Sequence, residues 1–211
     1  MKFKAVIFDC DGVLVDSESM TLEVLLFLGK QIGFEMEKEA ATERFAGVAL
    51  QEILQYMETQ TQQKFPPTII QDYRQRTYEA FKRNIQAVPG VEQVLQSLQV
   101  PCCVASNAPK EKLQLNLGLL NLLPYFNGHL YSAYEVQHWK PEPHLFWYAA
   151  QQLGFAPAEC AVVEDSLAGV QAAKAGGFTV FGYASGTRAH TLAQAGAVVF
   201  DNMDTLPQLW K

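Results

Sequence analysis

The densest chemistry in the sequence lies at residues 8–17, FDCDGVLVDS, where Asp9 and Asp11 stand two positions apart just past the apolar run KAVIF. Two carboxylates this close repel, so the pair is held most easily where a cation or a shared proton offsets the charge. Oxygen-only donors suit a hard ion such as Mg2+, which keeps several waters and takes one or two carboxylates, better than they suit zinc. Gly12 follows the pair and lets the backbone turn tightly beside an anion.

Three later segments carry groups that complement this pair. Ser106 and Asn107 close the run VPCCVAS, Lys140 lies in HWKPEP, and Glu164 and Asp165 lie in VVEDSLAG. Taken singly, each has a plain structural reading. Ser106-Asn107 can be a turn, Lys140 a surface lysine, and Glu164-Asp165 a cap for a helix beginning near Ser166. Their placement after expected strands is what promotes them.

Those strands are the elements that must position the chemistry. KAVIF, VPCCVAS, HLYSA from His129, CAVVEDS from Cys160, FTVFGY from Phe178 and AVVF near residue 197 are short apolar runs, separated for the most part by helix-like stretches. This alternation predicts an α/β fold: a Rossmann-like parallel sheet covered on both faces, with ligands at the carboxyl ends of the strands. Residues 16–86 break the pattern and are too long for an ordinary crossover. LEVLLFLGKQIG, FAGVALQEILQYM and IIQDYRQRTYEAFKRNI carry apolar residues at mixed three and four spacings, which predicts an inserted helical cap domain. Residues 1–15 and 87–211 then form the catalytic core. Asp16 and Ser17 are expected in the hinge to the insertion, not among the metal's direct ligands.

In chain order, FDxDGxLxDS, SN, KPxP and EDSxxG resemble the motifs of the haloacid dehalogenase-like superfamily, over nearly the whole chain. The resemblance implies that Asp9 is a nucleophile forming an aspartyl phosphate and that Asp11 acts as general acid and then base, a chemically sound division. It implies that Ser106, Asn107 and Gly12 bind the phosphoryl group and that Lys140 neutralises charge between nucleophile and phosphoryl oxygens. Mg2+ would be held by Asp9, the backbone carbonyl of Asp11, Asp165 and Glu164, with Asp165 the stronger candidate for direct ligation. A cap that opens and closes over the cleft would exclude bulk water.

The position of the insertion resembles the subgroup of sugar-phosphate phosphatases and beta-phosphoglucomutases. The mutase's cap loop resembles KGVSR, whereas Ala46 and Leu50 occupy the two basic positions here. A mutase must grip the distal phosphate of a bisphosphate intermediate, so loss of both cations favours simple hydrolysis. FAGVALQEI, SNAPKEK, HWKPEP and the terminal LPQLWK resemble the branch acting on sugar-acid phosphates such as 6-phosphogluconate, with Arg44 or Lys110 as substitute cations. Asp11 argues against halide displacement, which needs no acid for an alkoxide. The long insertion argues against a phosphoryl-accepting signalling module, whose site must stay open to its partner.

The net charge of −6 disfavours nucleic acid, for want of a basic patch to displace counterions. A small phosphorylated metabolite fits better, since one divalent cation outweighs several acids within a cleft. Cys10, Cys102, Cys103 and Cys160 match neither a zinc site nor a disulfide framework and are expected as buried thiols. His129, His138, His144 and His190 show no metal-ligand spacing. Acids close to the amino terminus do not suit a secretory segment and no run could span a bilayer, so a cytoplasmic monomer without membrane attachment is expected.

Overall fold

The computed structural model describes residues 2–45, 48 and 50–210. Two compact units emerge, Met1–Asp16 with Gln86–Lys211 and Ser17–Ile85.

The larger unit is built on a six-stranded, wholly parallel sheet. β1 (Ala5–Phe8) lies between β4 (Cys102–Ser106) and β6 (Cys160–Glu164), β5 (Leu130–Ser132) flanks β4, and β7 (Thr179–Tyr183) and β8 (Val198–Phe200) continue beyond β6. The expected α/β class and all six expected strands are therefore present. Every residue of β1, β4 and β6 is buried, as central strands covered on both faces require. The chain steps outward from β1 through β4 to β5, then returns across the sheet to β6 before stepping the other way. That reversal opens a crevice beyond the carboxyl ends of β1 and β6, where doubly wound sheets bind ligands.

Two short strands, β2 (Val15–Asp16) and β3 (Gln86–Ala87), pair antiparallel where the chain leaves for the smaller unit and returns from it. Asp16 is paired opposite Gln86 in this ribbon.

Among its described residues the smaller unit holds four helices: α1 (Glu18–Lys30), α2 (Lys38–Phe45), α3 (Leu50–Thr61) and α4 (Ile69–Asn84). Leu22, Leu25, Leu28, Phe34, Phe45 and Met57 are among the residues of its own apolar core. The run FAGVALQEILQYM does not form a single helix, since α2 ends at Phe45 and α3 begins at Leu50. Helix α2 escapes a periodicity reading because KEAATERF is mostly polar and buries only Ala41 and Phe45 among its described side chains.

The helices of the larger unit are α5 (Val91–Ser97), α6 (Lys110–Leu119), α7 (Ala133–Val136), α8 (His144–Leu153), α9 (Leu167–Ala175), α10 (Gly186–Gln194) and α11 (Leu206–Leu209). Three bear on the site: α6 follows β4, α8 follows the HWKPEP turn, and α9 follows β6. Among the described residues no helix is long and apolar enough to cross a membrane. All four cysteines are buried free thiols, as expected.

Candidate active site

Asp9 is the first residue beyond β1, Ser106 ends β4, and Glu164 ends β6, so three adjacent parallel strands deliver three of the sequence-marked positions to one edge of the sheet. The Asp9 amide donates to the Val163 carbonyl at 2.9 Å, extending the β1–β6 ladder by one bond and fixing where the carboxylate starts. Asp9, Ser106, Lys140, Glu164 and Asp165 are all buried. Burial of so many polar groups is sustainable only if they satisfy one another.

Lys140 is the hub of that arrangement. Its Nζ donates to Asp9 Oδ1 at 2.5 Å, to Glu164 Oε1 at 2.5 Å and to the Ala105 carbonyl at 2.9 Å, which uses all three ammonium hydrogens. Burial opposes charge on this lysine, but Asp9 and Glu164 outweigh it and hold the ammonium well above the usual lysine range. Asp9 is pushed up to about 7: burial is the largest cause, Lys140 opposes it, and Glu164 and Asp11 add to it. One ammonium therefore does not offset the acids around it.

Glu164 is fully buried and saturated. Its Oε2 accepts from the Asp165 amide at 3.1 Å, the Ser166 amide at 3.1 Å and the Ser166 hydroxyl at 2.9 Å, while Oε1 holds Lys140. Ser166 Oγ in turn caps α9 by accepting from the Gly169 amide at 3.0 Å. The expected helix cap and the expected acidic pair are thus the same few residues. Two glycines make room for the acids. Gly12 has φ +81°, and a Cβ there would stand 2.1 Å from Asp165 Oδ2; a Cβ on Gly169 would stand 1.9 Å from the Glu164 carboxyl carbon. Gly169 is absent from the expected site residues, although the final glycine of EDSxxG was its signal.

Asn107 is placed differently from a simple phosphate contact. Its Oδ1 accepts from the Lys140 amide at 3.0 Å and its Nδ2 donates to the Lys140 carbonyl at 3.5 Å, so the side chain brackets the backbone of the Lys140 turn. Ser106 Oγ accepts from the Ala108 amide at 3.2 Å. Asp11 Oδ2 accepts from Lys112 Nζ at 2.6 Å, whereas Asp11 Oδ1 is buried with no hydrogen-bond partner. Lys112, in the first turn of α6, is the functional candidate that the sequence hid: SNAPKEK offers two lysines, and only the fold decides between them. Burial opposes the charge on Lys112, and Asp11 overrides it to raise the ammonium above its ordinary range.

Asp9, Glu164 and Asp165 each offer a carboxylate oxygen, and the three lie within 4.8 Å of one another. An all-oxygen cluster, met by Lys140 and by Arg188 at 3.9 Å from Asp165 Oδ2 and beside a buried orphan oxygen of Asp11, fits a divalent metal.

The haloacid dehalogenase-like hydrolase family model matches residues 3–177, which includes every one of these groups. The chain belongs to the haloacid dehalogenase-like hydrolase family. It is 33% identical over 211 residues to a 6-phosphogluconate phosphatase of Escherichia coli, covering 100% of this chain and 96% of that one. A haloacid dehalogenase-like protein of unknown function from Agrobacterium tumefaciens superposes with a TM-score of 0.89 at 33% identity, covering 98% of this chain and 97% of that one. A hydrolase of the same family from Deinococcus radiodurans, solved with bound phosphate and sodium, gives a TM-score of 0.85 at 31% identity, covering 97% and 93%. Within the family this chain is a phosphatase, a phosphoric monoester hydrolase.

Seen as a member of that family, the chain uses its remaining marked residues for other ends. Burial pushes the Cys10 thiol well up, with Asp11 and Asp9 adding to the effect, so it has no reactive thiolate. Arg44 stacks on the Tyr56 ring at 4.0 Å and Lys110 pairs with Glu135 at 2.8 Å, so neither is an uncommitted cation. Leu50 packs against the core of its own helical unit, and Ala46 lies outside the described residues. The histidines correct one expectation: His138 and His144, dispersed in sequence, stack face to face with centroids 4.0 Å apart.

Proposed function

We propose that the enzyme hydrolyses a small phosphorylated metabolite, a sugar phosphate or sugar-acid phosphate such as 6-phosphogluconate, with Mg2+ and through an aspartyl-phosphate intermediate. The observation that carries this reading is the single buried ammonium of Lys140 spanning Asp9 and Glu164, beside the acidic cluster of Asp9, Glu164 and Asp165. Lys140 aims the Asp9 carboxylate and favours its ionised form against the burial that raises its pKa, as a nucleophile requires.

In the first step an Asp9 oxygen attacks phosphorus, the ester P–O bond breaks, and Asp11 gives its proton to the departing oxygen. In the second, Asp11 takes a proton from water, whose oxygen attacks the phosphoryl group and releases phosphate from Asp9. Ser106 and the backbone around Gly12 and Asn107 receive the phosphoryl oxygens, while the Asn107 side chain holds the Lys140 turn. Asp9, Asp165, the Asp11 carbonyl and Glu164 would hold Mg2+, which when bound supplies charge neutralisation for the transferring phosphoryl group. With both Glu164 oxygens committed, Asp165 is the better direct ligand and Glu164 the better support.

Hydrolysis is favoured over phosphosugar mutation because the two cap positions that would carry cations are Ala46 and Leu50. The residues that choose the leaving group are assigned to the helical insertion. The test is a panel of phosphorylated metabolites with Mg2+, including 6-phosphogluconate, glucose 6-phosphate and p-nitrophenyl phosphate. Phosphate release from a sugar or sugar-acid phosphate, abolished by chelation and reduced roughly a thousandfold or more in Asp9→Asn, is expected. Full activity in that variant removes Asp9 from the nucleophile's role, and interconversion of sugar phosphates without net phosphate release would establish a mutase.

A further inference from the structure

The turn that presents Lys140 carries a second group of metal-ligating side chains, away from the acidic pair. His138 and Glu142 sit on either side of Lys140 in the chain, and His144 opens α8. Glu142 Oε2 lies 2.6 Å from His138 Nδ1 and 3.4 Å from His144 Nδ1. Both imidazoles therefore turn the same nitrogen toward one carboxylate oxygen, with their rings inclined by only 16°.

Hydrogen bonding accounts for only half of this. His138 Nδ1 forms a hydrogen bond with Glu142, but His144 Nδ1 is buried and has no hydrogen-bond partner. When unprotonated, the His144 nitrogen turns a lone pair toward the carboxylate oxygen, which is repulsive, and a buried imidazole nitrogen without a hydrogen-bond partner is costly. A cation among the three atoms removes both problems. Metal–ligand bonds of about 2.0–2.2 Å with near-tetrahedral angles place ligand atoms about 3.3–3.6 Å apart. The observed 3.4 Å falls within that range and the 2.6 Å contact is shorter, so the His138–Glu142 pair would open to admit the ion.

The ligands are also held in place. His144 meets the Trp147 ring edge-on at 5.2 Å, and Trp147 Nε1 donates to the Gly176 carbonyl at 3.1 Å. Buried Leu145, Phe146, Ala149 and Ala150 fasten α8 to the sheet. On the other side, the Glu142 amide donates to the Trp139 carbonyl at 2.8 Å, closing a tight turn around Lys140. Rings fixed by packing lose little freedom on binding an ion.

We propose that His138, Glu142 and His144 form a second metal site, distinct from the acidic centre, which takes a borderline divalent ion of the zinc, cobalt, nickel or copper class and braces the turn that presents Lys140. Two imidazoles and one carboxylate select these ions over Mg2+, which prefers oxygen throughout. Three protein ligands leave a position open to water. Because Lys140 lies between two of the ligands, the ion ties down both sides of the turn whose middle Asn107 already holds.

The experiment is calorimetric titration of the full chain with Zn2+ in excess Mg2+, which saturates the acidic centre. Wild type is expected to take up one equivalent of Zn2+ that added Mg2+ does not displace. Glu142→Gln should weaken binding at least about tenfold, and His138→Ala/His144→Ala should abolish it. Co2+ absorption serves as a second reading, since nitrogen and oxygen ligands give visible bands without thiolate charge transfer. On Zn2+ binding, amide exchange over residues 138–142 should slow in wild type only. Should the double variant fold poorly, Glu142→Gln and the Co2+ spectrum decide. Unaltered Zn2+ affinity in the folded variants, displacement by Mg2+, or a thiolate band would overturn the site. Zn2+ binding without slower exchange would overturn the bracing role.

Discussion

The absence of a side chain at Gly169 is what gives the Glu164 carboxyl its place: a Cβ there would stand 1.9 Å from the carboxyl carbon. Glu164 cannot simply move aside, because it is fully buried and holds Lys140, Ser166 and two backbone amides. Alanine is worth about 1 kcal/mol over glycine in a helix interior, so on propensity alone Gly169→Ala would stabilise α9. Overpacking costs about 1–3 kcal/mol and here displaces a buried acid as well. Net destabilisation is expected, with a melting temperature lower by several degrees and a fall in kcat. Unchanged melting and turnover would show that the carboxyl can shift without cost.

Asp9 makes the metal-free protein sensitive to pH in an unusual direction. Its folded pKa is raised, with burial the leading cause, so between the ordinary carboxylate range near 4 and neutrality the folded state holds a proton that the unfolded state has lost. Stability attributable to Asp9 is therefore present at low pH and is lost as pH rises toward about 7. With chelator present, the melting temperature should fall between pH 5 and pH 7.5, and Mg2+ should restore more of it at the higher pH. A metal-free melting temperature that rises across this interval contradicts the assignment.

Lys112 reaches the acid-base candidate Asp11 from the first turn of α6. Both partners are about one-third exposed, so the pair contributes little to stability, on the order of 1 kcal/mol or less. Its effect should be on chemistry: Lys112→Met is expected to lower kcat about tenfold or more while melting shifts by only a few degrees. Steady-state kinetics beside a thermal melt separates the two. Wild-type kcat would mean that the pair is incidental to turnover.

Asn107 brackets the backbone of Lys140 with two hydrogen bonds, one at 3.0 Å and a weaker one at 3.5 Å. Asn107→Ala leaves the Lys140 amide without that partner, at a cost of about 1–3 kcal/mol. Turnover should fall more than substrate affinity, because what moves is the ammonium that aims Asp9. If KM rises while kcat stays unchanged, the side chain binds substrate instead of holding the turn.

What the sequence determined by itself was the class of fold and which residues gather at the candidate site. Short apolar runs separated by amphipathic stretches encode a covered parallel sheet, because burial on both faces demands continuous apolar strands. A polar group immediately after such a run must emerge at the strand's carboxyl end, which is why Asp9, Ser106 and Glu164 were legible as one constellation. Lys140 was legible for the company it kept in HWKPEP.

Tertiary structure decided what those residues do to one another. That Lys140 divides its three donors among Asp9, Glu164 and Ala105, that Asn107 grips a backbone 33 positions away, and that Lys112 reaches Asp11 across 101 positions are matters of distance after folding. The same holds for His138, Glu142 and His144: spacings of four and two match no regular ligand pattern, yet the turn through Lys140 stacks the two rings on each other with both Nδ1 atoms toward one carboxylate oxygen. Helix α2 was hidden for a related reason, since a mostly polar segment is helical here through the packing of Ala41 and Phe45. Local patterns report where a side chain leaves the backbone, and only long-range packing sets which partner it meets.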